Sequence, residues 1–192
     1  MSSSQIHQDI LRDRKFPGTI ILRRVSPDDA AYHLSQSTAV SDSTETLPIG
    51  IAYHISQTGN VDFICLSNLT HVFVILLDST ARAGPGKAFA ALLSASIEVA
   101  ATSSVNPFPF CLVGFGMAKV AIQVSQATRM RVSGIDLSTL CSPNTREPWS
   151  ASKFIAEKVE NSVDRFKVAS LWTGDEGSAE RNIALQAWLA AW

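Results

Sequence analysis

Three apolar runs follow one another almost without pause near the middle of the chain: LPIGIAYHIS from Leu47, VDFICLSN from Val61 and HVFVILLD from His71. Only a Gly59-Asn60 turn and a second turn near Asn68 separate them. Parallel neighbours need a crossover of about a dozen residues or more, so strands this tightly spaced must form an antiparallel meander. From residue 84 onward the order changes. AGPGKAFAALLSASIEVAATSS spaces Phe89, Leu92, Leu93, Ile97 and Ala100 as a helix does, PFPFCLVGFG reads as a strand entered through prolines, and MAKVAIQVSQATRM sets Met117, Val120, Val124 and Ala127 on one helical face. RVSGIDLSTL reads as a further short strand. Helix, strand, helix, strand implies parallel pairing, so the expected class is α/β with a five-stranded mixed sheet, three meander strands plus two parallel ones, flanked by helices.

The flanks complete that picture. TIILR (19–23) is a strand candidate, and SPDDAAYHLSQS (26–37) opens with an N-cap and two acids. SASKFIAEKVENSVDRF aligns Phe154, Ile155, Val159, Val163 and Phe166 on one stripe, whereas the closing AERNIALQAWLAAW is apolar on nearly every side, as in a deeply buried helix or an interface. We expect a polar leader over 1–18 and a single domain over 19–192, since 192 residues are enough for one well-packed core and short for two.

Net charge of −1 rules out a general positive field for gathering phosphates, so nucleic-acid binding would need a local patch. Charged residues make up 17% of the chain, under the usual quarter, which implies surface covered by a partner or by another copy of itself. Cys65 and Cys111 fall in apolar runs and, with Cys141, make an odd set without a CxxC, as expected of free thiols in a reducing compartment. The first residues have no signal-peptide core and no apolar run nears the roughly 18 residues of a membrane span. A soluble cytoplasmic or nuclear protein is therefore expected, with no membrane partner.

Within IGIAYHI, VGFGMAKV and NIALQAW, the order and local framing resemble the 3′–5′ exonuclease domain of the DEDD superfamily. The branch is that of ribonuclease D and the exonuclease of the Werner syndrome helicase, with a ribonuclease H-like fold. The resemblance runs from TIILRRVSPDDAAYHL to the final helix. In that family the first strand carries Asp-x-Glu; laid on IGIAYHI it places Ala52 at the Asp and His54 at the Glu. The second motif's Asp falls on Val120. The third motif, Tyr-x-x-x-Asp, falls on Asn182 and Gln186. What the resemblance implies is thus an exonuclease-like domain from which all four carboxylates, and the tyrosine that orients the attacking water, are gone.

Chemistry makes that loss decisive. Hydrolysis in such a site uses two divalent ions about 4 Å apart, and Mg²⁺ requires charged oxygen ligands. Ala and Val supply none, and Gln186 only a neutral amide oxygen. His54 is either a hydrogen-bonded core or cleft histidine or a lone ligand better suited to Zn²⁺ or Ni²⁺. Asp62, Asp78, Glu98 and Asp136 lie on or near core elements without forming a paired DxE or DxD, as expected of acids that cap turns and helix ends. No cofactor and no metal are implied.

Other readings of the same letters stay open. LVGFGMAK followed by RVSGIDL offers Gly114-x-Gly116, a helix and Asp136 twenty residues on, the context of a dinucleotide site, although Lys119 stands at the third glycine and antiparallel strands come first. AGPGK (83–87) lacks phosphate-loop spacing, and no GxSxG elbow exists. Among small basic groups, Lys119, Arg129 and Arg131 are the nucleic-acid candidates, because interleaved acids weaken the others. Trp188 and Trp192, four apart, are interface candidates as well as core or base-stacking residues. Three functions follow: an inactive exonuclease-like adaptor binding a protein partner, a second copy, or single-stranded RNA or DNA; a divergent but active metal-dependent exonuclease; and a dinucleotide-binding domain. Inactive adaptors of RNA pathways in the superfamily make the first the reading that the resemblance favours.

Overall fold

The computed structural model describes residues 3–7, 19–38, 46–77, 86–94, 110–140, 150–151, 153–155, 164–173 and 178–191. Asp78, Glu98, Cys141, Trp149, Trp192 and most of AGPGK lie outside them. The strands are β1 (Ser3–His7), β2 (Thr19–Arg24), β3 (Leu47–Ile55), β4 (Val61–Ser67), β5 (His71–Leu76), β6 (Phe110–Gly114) and β7 (Ile135–Asp136). The helices are α1 (Pro27–Thr38), α2 (Lys87–Ser94), α3 (Met117–Thr128), α4 (Leu137–Leu140), α5 (Arg165–Thr173) and α6 (Ala179–Ala191).

The strands form one sheet in the order β1-β2-β5-β4-β3-β6-β7. β3, β4 and β5 are the antiparallel meander, and β6 and β7 add to β3 in parallel. That β5-β4-β3-β6-β7 core is the ribonuclease H-like arrangement. Two more strands extend it: β2 pairs with β5 in parallel and β1 with β2 antiparallel, so among the described residues the expected five become seven. β1 comes from the stretch read as a polar leader. At a sheet edge, backbone hydrogen bonds suffice to hold a strand, and the apolar alternation that would announce it in sequence is not required.

Turn chemistry sets the meander's register. Gly59 supplies φ 83° between β3 and β4. Before β5, Asn68 Oδ1 accepts from the Thr70 and His71 N–H groups at 3.0 and 2.8 Å, an Asx turn.

Alternation along β3 then divides the core. Ile49 and Ile51 face the layer of α1, α2 and α3, whereas Ala52 faces the layer of α5 and α6. Gly50 is also on the α6 side, and a Cβ there would lie 1.8 Å from the Ala187 carbonyl oxygen, so α6 rests directly on β3. The closing helix is therefore buried rather than an interface. Trp188 is 1% exposed, packed in the core with its Nε1 donating to the Leu69 carbonyl at 2.9 Å, which corrects its reading as an interface residue. Cys65 and Cys111 are buried free thiols.

Two expectations need correction. RVSGIDLSTL is strand only at Ile135–Asp136, because Asp136 turns to cap neighbouring backbone and α4 starts at once. Phe166 does not join the buried stripe and is 88% exposed. Asp164 Oδ1 accepts from the Phe166 and Lys167 N–H groups at 3.1 and 3.3 Å, which starts a new helix whose phase buries Val168 and Leu171 instead.

Candidate functional site

β3 outruns its parallel neighbour. Their pairing ends at Gly50 and Val113, and β6 stops at Gly114, level with Ile51, so residues 52–55 project past the carboxyl end of β6. On the other side of β3 runs antiparallel β4. Such a change of direction opens a crevice at the carboxyl ends of parallel strands, the usual place for a site in an α/β sheet.

The crevice is a small cleft, open to solvent, lined by Ile51, Ala52, Tyr53, Phe115, Val120, Trp172 and Gln186. Its walls are aromatic. Phe115 meets Trp172 edge-on, with ring centroids 5.5 Å apart at 90°, and contacts Phe154 on its other side at 5.5 Å and 74°. Tyr53 is partly buried, which pushes its phenol above the ordinary value because tyrosinate loses hydration there. Gln186 Nε2 donates to the Leu171 carbonyl at 2.7 Å, so its amide nitrogen is already committed to holding α5.

The fold thus brings three of the five carried-over positions, Ala52, Val120 and Gln186, into one cleft from three separate elements. The other two lie apart. His54 stacks on Phe63, with centroids 5.0 Å apart and planes within 10°. Its Nδ1 is 3.4 Å from Asp62 Oδ2, in ion-pair range but outside hydrogen-bonding geometry. Asn182, a turn before Gln186 on α6, is 4% exposed and does not line the cleft.

These side chains do not fit a pair of divalent ions. A methyl, an isopropyl and one neutral amide offer no charged oxygen. Among the described residues no group of three or more His, Cys, Asp or Glu could hold a metal ion. His54 with Asp62 is a pair and goes no further.

The glycine turn has a specific occupant. Gly116 is left-handed (φ 65°) at the start of α3, and the Asp136 carboxylate accepts from the Gly116 N–H at 3.1 Å and the Met117 N–H at 2.8 Å. A dinucleotide's pyrophosphate would have to bind at this helix terminus, where it would meet a carboxylate already using the donors. The acid twenty residues beyond Gly116 is a helix cap, and the dinucleotide reading fails on that contact.

Lys119 is exposed in the first turn of α3, whereas Arg129 and Arg131 are exposed at its far end. Ten helical residues span about 15 Å, so the three cations do not make one patch. Arg129 adopts φ 58° to end the helix, its N–H donating to the Ser125 carbonyl at 2.8 Å, a position where glycine is usual. Sequence reasoning missed Tyr53 and Phe115 as cleft walls. The one visible signal was an aromatic breaking the aliphatic alternation of IGIAYHIS.

No protein-family model matches the sequence, and no curated protein matches it. Among solved structures the chain is similar to crystal structures of the EXD2 exonuclease domain. For that domain soaked in Mn and Mg, identity is 16% over 85% of this chain and 80% of that one, with a TM-score of 0.45. For the domain soaked in Mn and dGMP, identity is 16% over 88% of this chain and 84% of that one, with a TM-score of 0.46. No described helix is long and apolar enough to cross a membrane.

Proposed function

We propose that this chain is a catalytically inactive exonuclease-like domain that acts as an interaction module, binding a protein partner or RNA. The observation that carries the proposal is the convergence of Ala52, Val120 and Gln186 on a single cleft walled by Tyr53, Phe115 and Trp172. Where the related enzymes need acids for two metal ions, the lining here is apolar and aromatic, and its one amide is tied to Leu171. Such a surface gains more from covering an apolar group than from holding a phosphate.

The test is a 3′-end assay on single-stranded RNA and DNA with Mg²⁺ or Mn²⁺. Unchanged substrate lengths are expected. Processive trimming that disappears in Asp62→Asn would sink the proposal in favour of a divergent active nuclease, since Asp62 is the described acid beside His54. RNA as the ligand is checked by binding at low salt. A salt-dependent affinity that collapses in an Arg129→Ala, Arg131→Ala double variant assigns it to the far end of α3, and loss in Lys119→Ala to the near end. No binding at low salt leaves protein partners.

A further inference from the structure

We infer that β1 is a self-association edge: two copies of this chain pair β1 with β1 antiparallel across a two-fold axis at Gln5, joining their sheets into one. The inference goes beyond the reading of the cleft, since β1 lies at an edge of the sheet away from β3 and β6.

Backbone phase shows which groups the edge offers. The Ile21 and Val25 N–H groups donate to the Thr70 and Val74 carbonyls, both at 3.1 Å, so the odd-numbered residues here turn their backbone polar groups toward β5. These groups alternate sides along a strand, which leaves Ile20 and Leu22 to bond β1. Their register partners are Ile6 and Ser4. Ser3, Gln5 and His7 therefore turn their N–H and C=O groups outward, and among the described residues no strand pairs with them.

The two edges of the sheet differ in how they are protected. Native edges are usually blunted by shortness, charge, proline or a bulge. At the far edge β7 is two residues long and gives way at once to α4. β1 lacks such devices: SSQIH contains no Lys, Arg, Asp, Glu or Pro, and its register with β2 runs from Ser3 to His7 without a shift.

The same phase selects a second copy as the occupant. Centred on Gln5, a two-fold antiparallel register sets Gln5 opposite Gln5 of the second copy and Ser3 opposite its His7, so every outward N–H meets a C=O. The two His7 positions then stand about 14 Å apart along the ladder, and no like charges face each other. An unrelated flexible peptide would lose chain entropy on becoming extended, whereas β1 of a second copy is already held extended by β2. Pairing through one shared edge closes at two copies, because β7 offers too little strand to continue the sheet. A chain with 17% charged residues, low for a free surface, fits such an assembly.

Light scattering coupled to size exclusion, with sedimentation equilibrium up to about 100 μM, tests this on the full chain. A short edge ladder covers little surface, so a weak, concentration-dependent dimer is expected of the wild type. Gln5→Pro deletes the central outward donor without touching a bond to β2, a place where edge strands accept proline, and should weaken dimerisation by about tenfold or more. Gln5→Lys and Gln5→Glu each set like charges opposite each other at the two-fold axis and should weaken it too. An equal mixture of those two variants should recover a heterodimer, which a general loss of folding could not produce. Thermal melts check that each variant stays folded. A wild type that is monomeric throughout, a dimer unaffected by Gln5→Pro and Gln5→Lys, or a Lys and Glu mixture that recovers nothing overturns the inference. Metal-dependent trimming in the nuclease assay bears on the cleft alone, so the two readings fail separately.

Discussion

The Gln186 side-chain amide donates to the Leu171 carbonyl at 2.7 Å, tying the middle of α6 to the last turn of α5 beside the cleft that Gln186 lines. That bond turns a position expected to face metal into a structural clasp. Gln186→Asp removes the donor and sets an anion against a carbonyl oxygen. It should lower stability by about 1–3 kcal/mol in urea unfolding, the usual cost of leaving a polar partner unsatisfied. Gln186→Asp alone should confer no Mg²⁺-dependent stabilisation, since Ala52 and Val120 still provide no ligand.

The close approach of α6 to β3 at Gly50 makes a sharper prediction. A methyl group there would lie 1.8 Å from the Ala187 carbonyl oxygen and 2.9 Å from the Ala191 nitrogen, backbone atoms that cannot turn aside. Gly50→Ala should therefore cost about 3 kcal/mol or prevent folding, as read by the cooperativity of thermal unfolding. Gly59→Ala is the control: nothing lies near its Cβ, so only its φ of 83° opposes the substitution and the loss should be smaller, about 1 kcal/mol.

Asp136 caps α3 from β7, accepting from Gly116, Met117 and Ser138 N–H groups. Asp136→Ala should destabilise by about 1–2 kcal/mol, with Asp136→Asn milder because it keeps an acceptor. Titration of the wild type with NAD(H) should give no saturable binding.

His71 gives the fold a pH dependence. Partial burial, and then the nearby Arg23 and His33, hold its pKa below the ordinary histidine value of 6.5. Its Nδ1 lies 2.9 Å from Thr70 Oγ1, and its ring stacks on Phe73. Between the unfolded value and the lower folded one, the unfolded chain binds more protons, so stability falls as pH falls. This contribution is complete above pH 6.5 and is lost as pH drops through the folded value. Thermal melts from pH 8 to about pH 5 should decline in the acid half, and His71→Gln should flatten part of that decline.

The meander could be read directly from LPIGIAYHIS, VDFICLSN and HVFVILLD, because short gaps between apolar runs leave antiparallel pairing as the one local solution. The helix–strand alternation from residue 84 was equally plain, since hydrophobic period is a property of neighbouring residues. β1 was not, because Ser3–His7 is held by its ladder to Thr19–Arg24 and carries no alternation of its own. Nor was the exposure of Phe166, which depends on where Asp164 restarts a helix. Ala52, Val120 and Gln186 belong to a strand and two helices far apart in the chain; the family resemblance singled out all three as the non-acidic positions of its motifs, but only packing could give them a shared cleft and a neighbouring ring of aromatics. Asp136 has the same lesson: twenty residues from Gly116 it fits a ribose-binding acid or a helix cap equally well, and the fold chose by bringing its carboxylate within 2.8 Å of the Met117 N–H. Local periodicity determined the elements, whereas the chemistry of the cleft arose from contacts between residues distant in sequence, which no local pattern encodes.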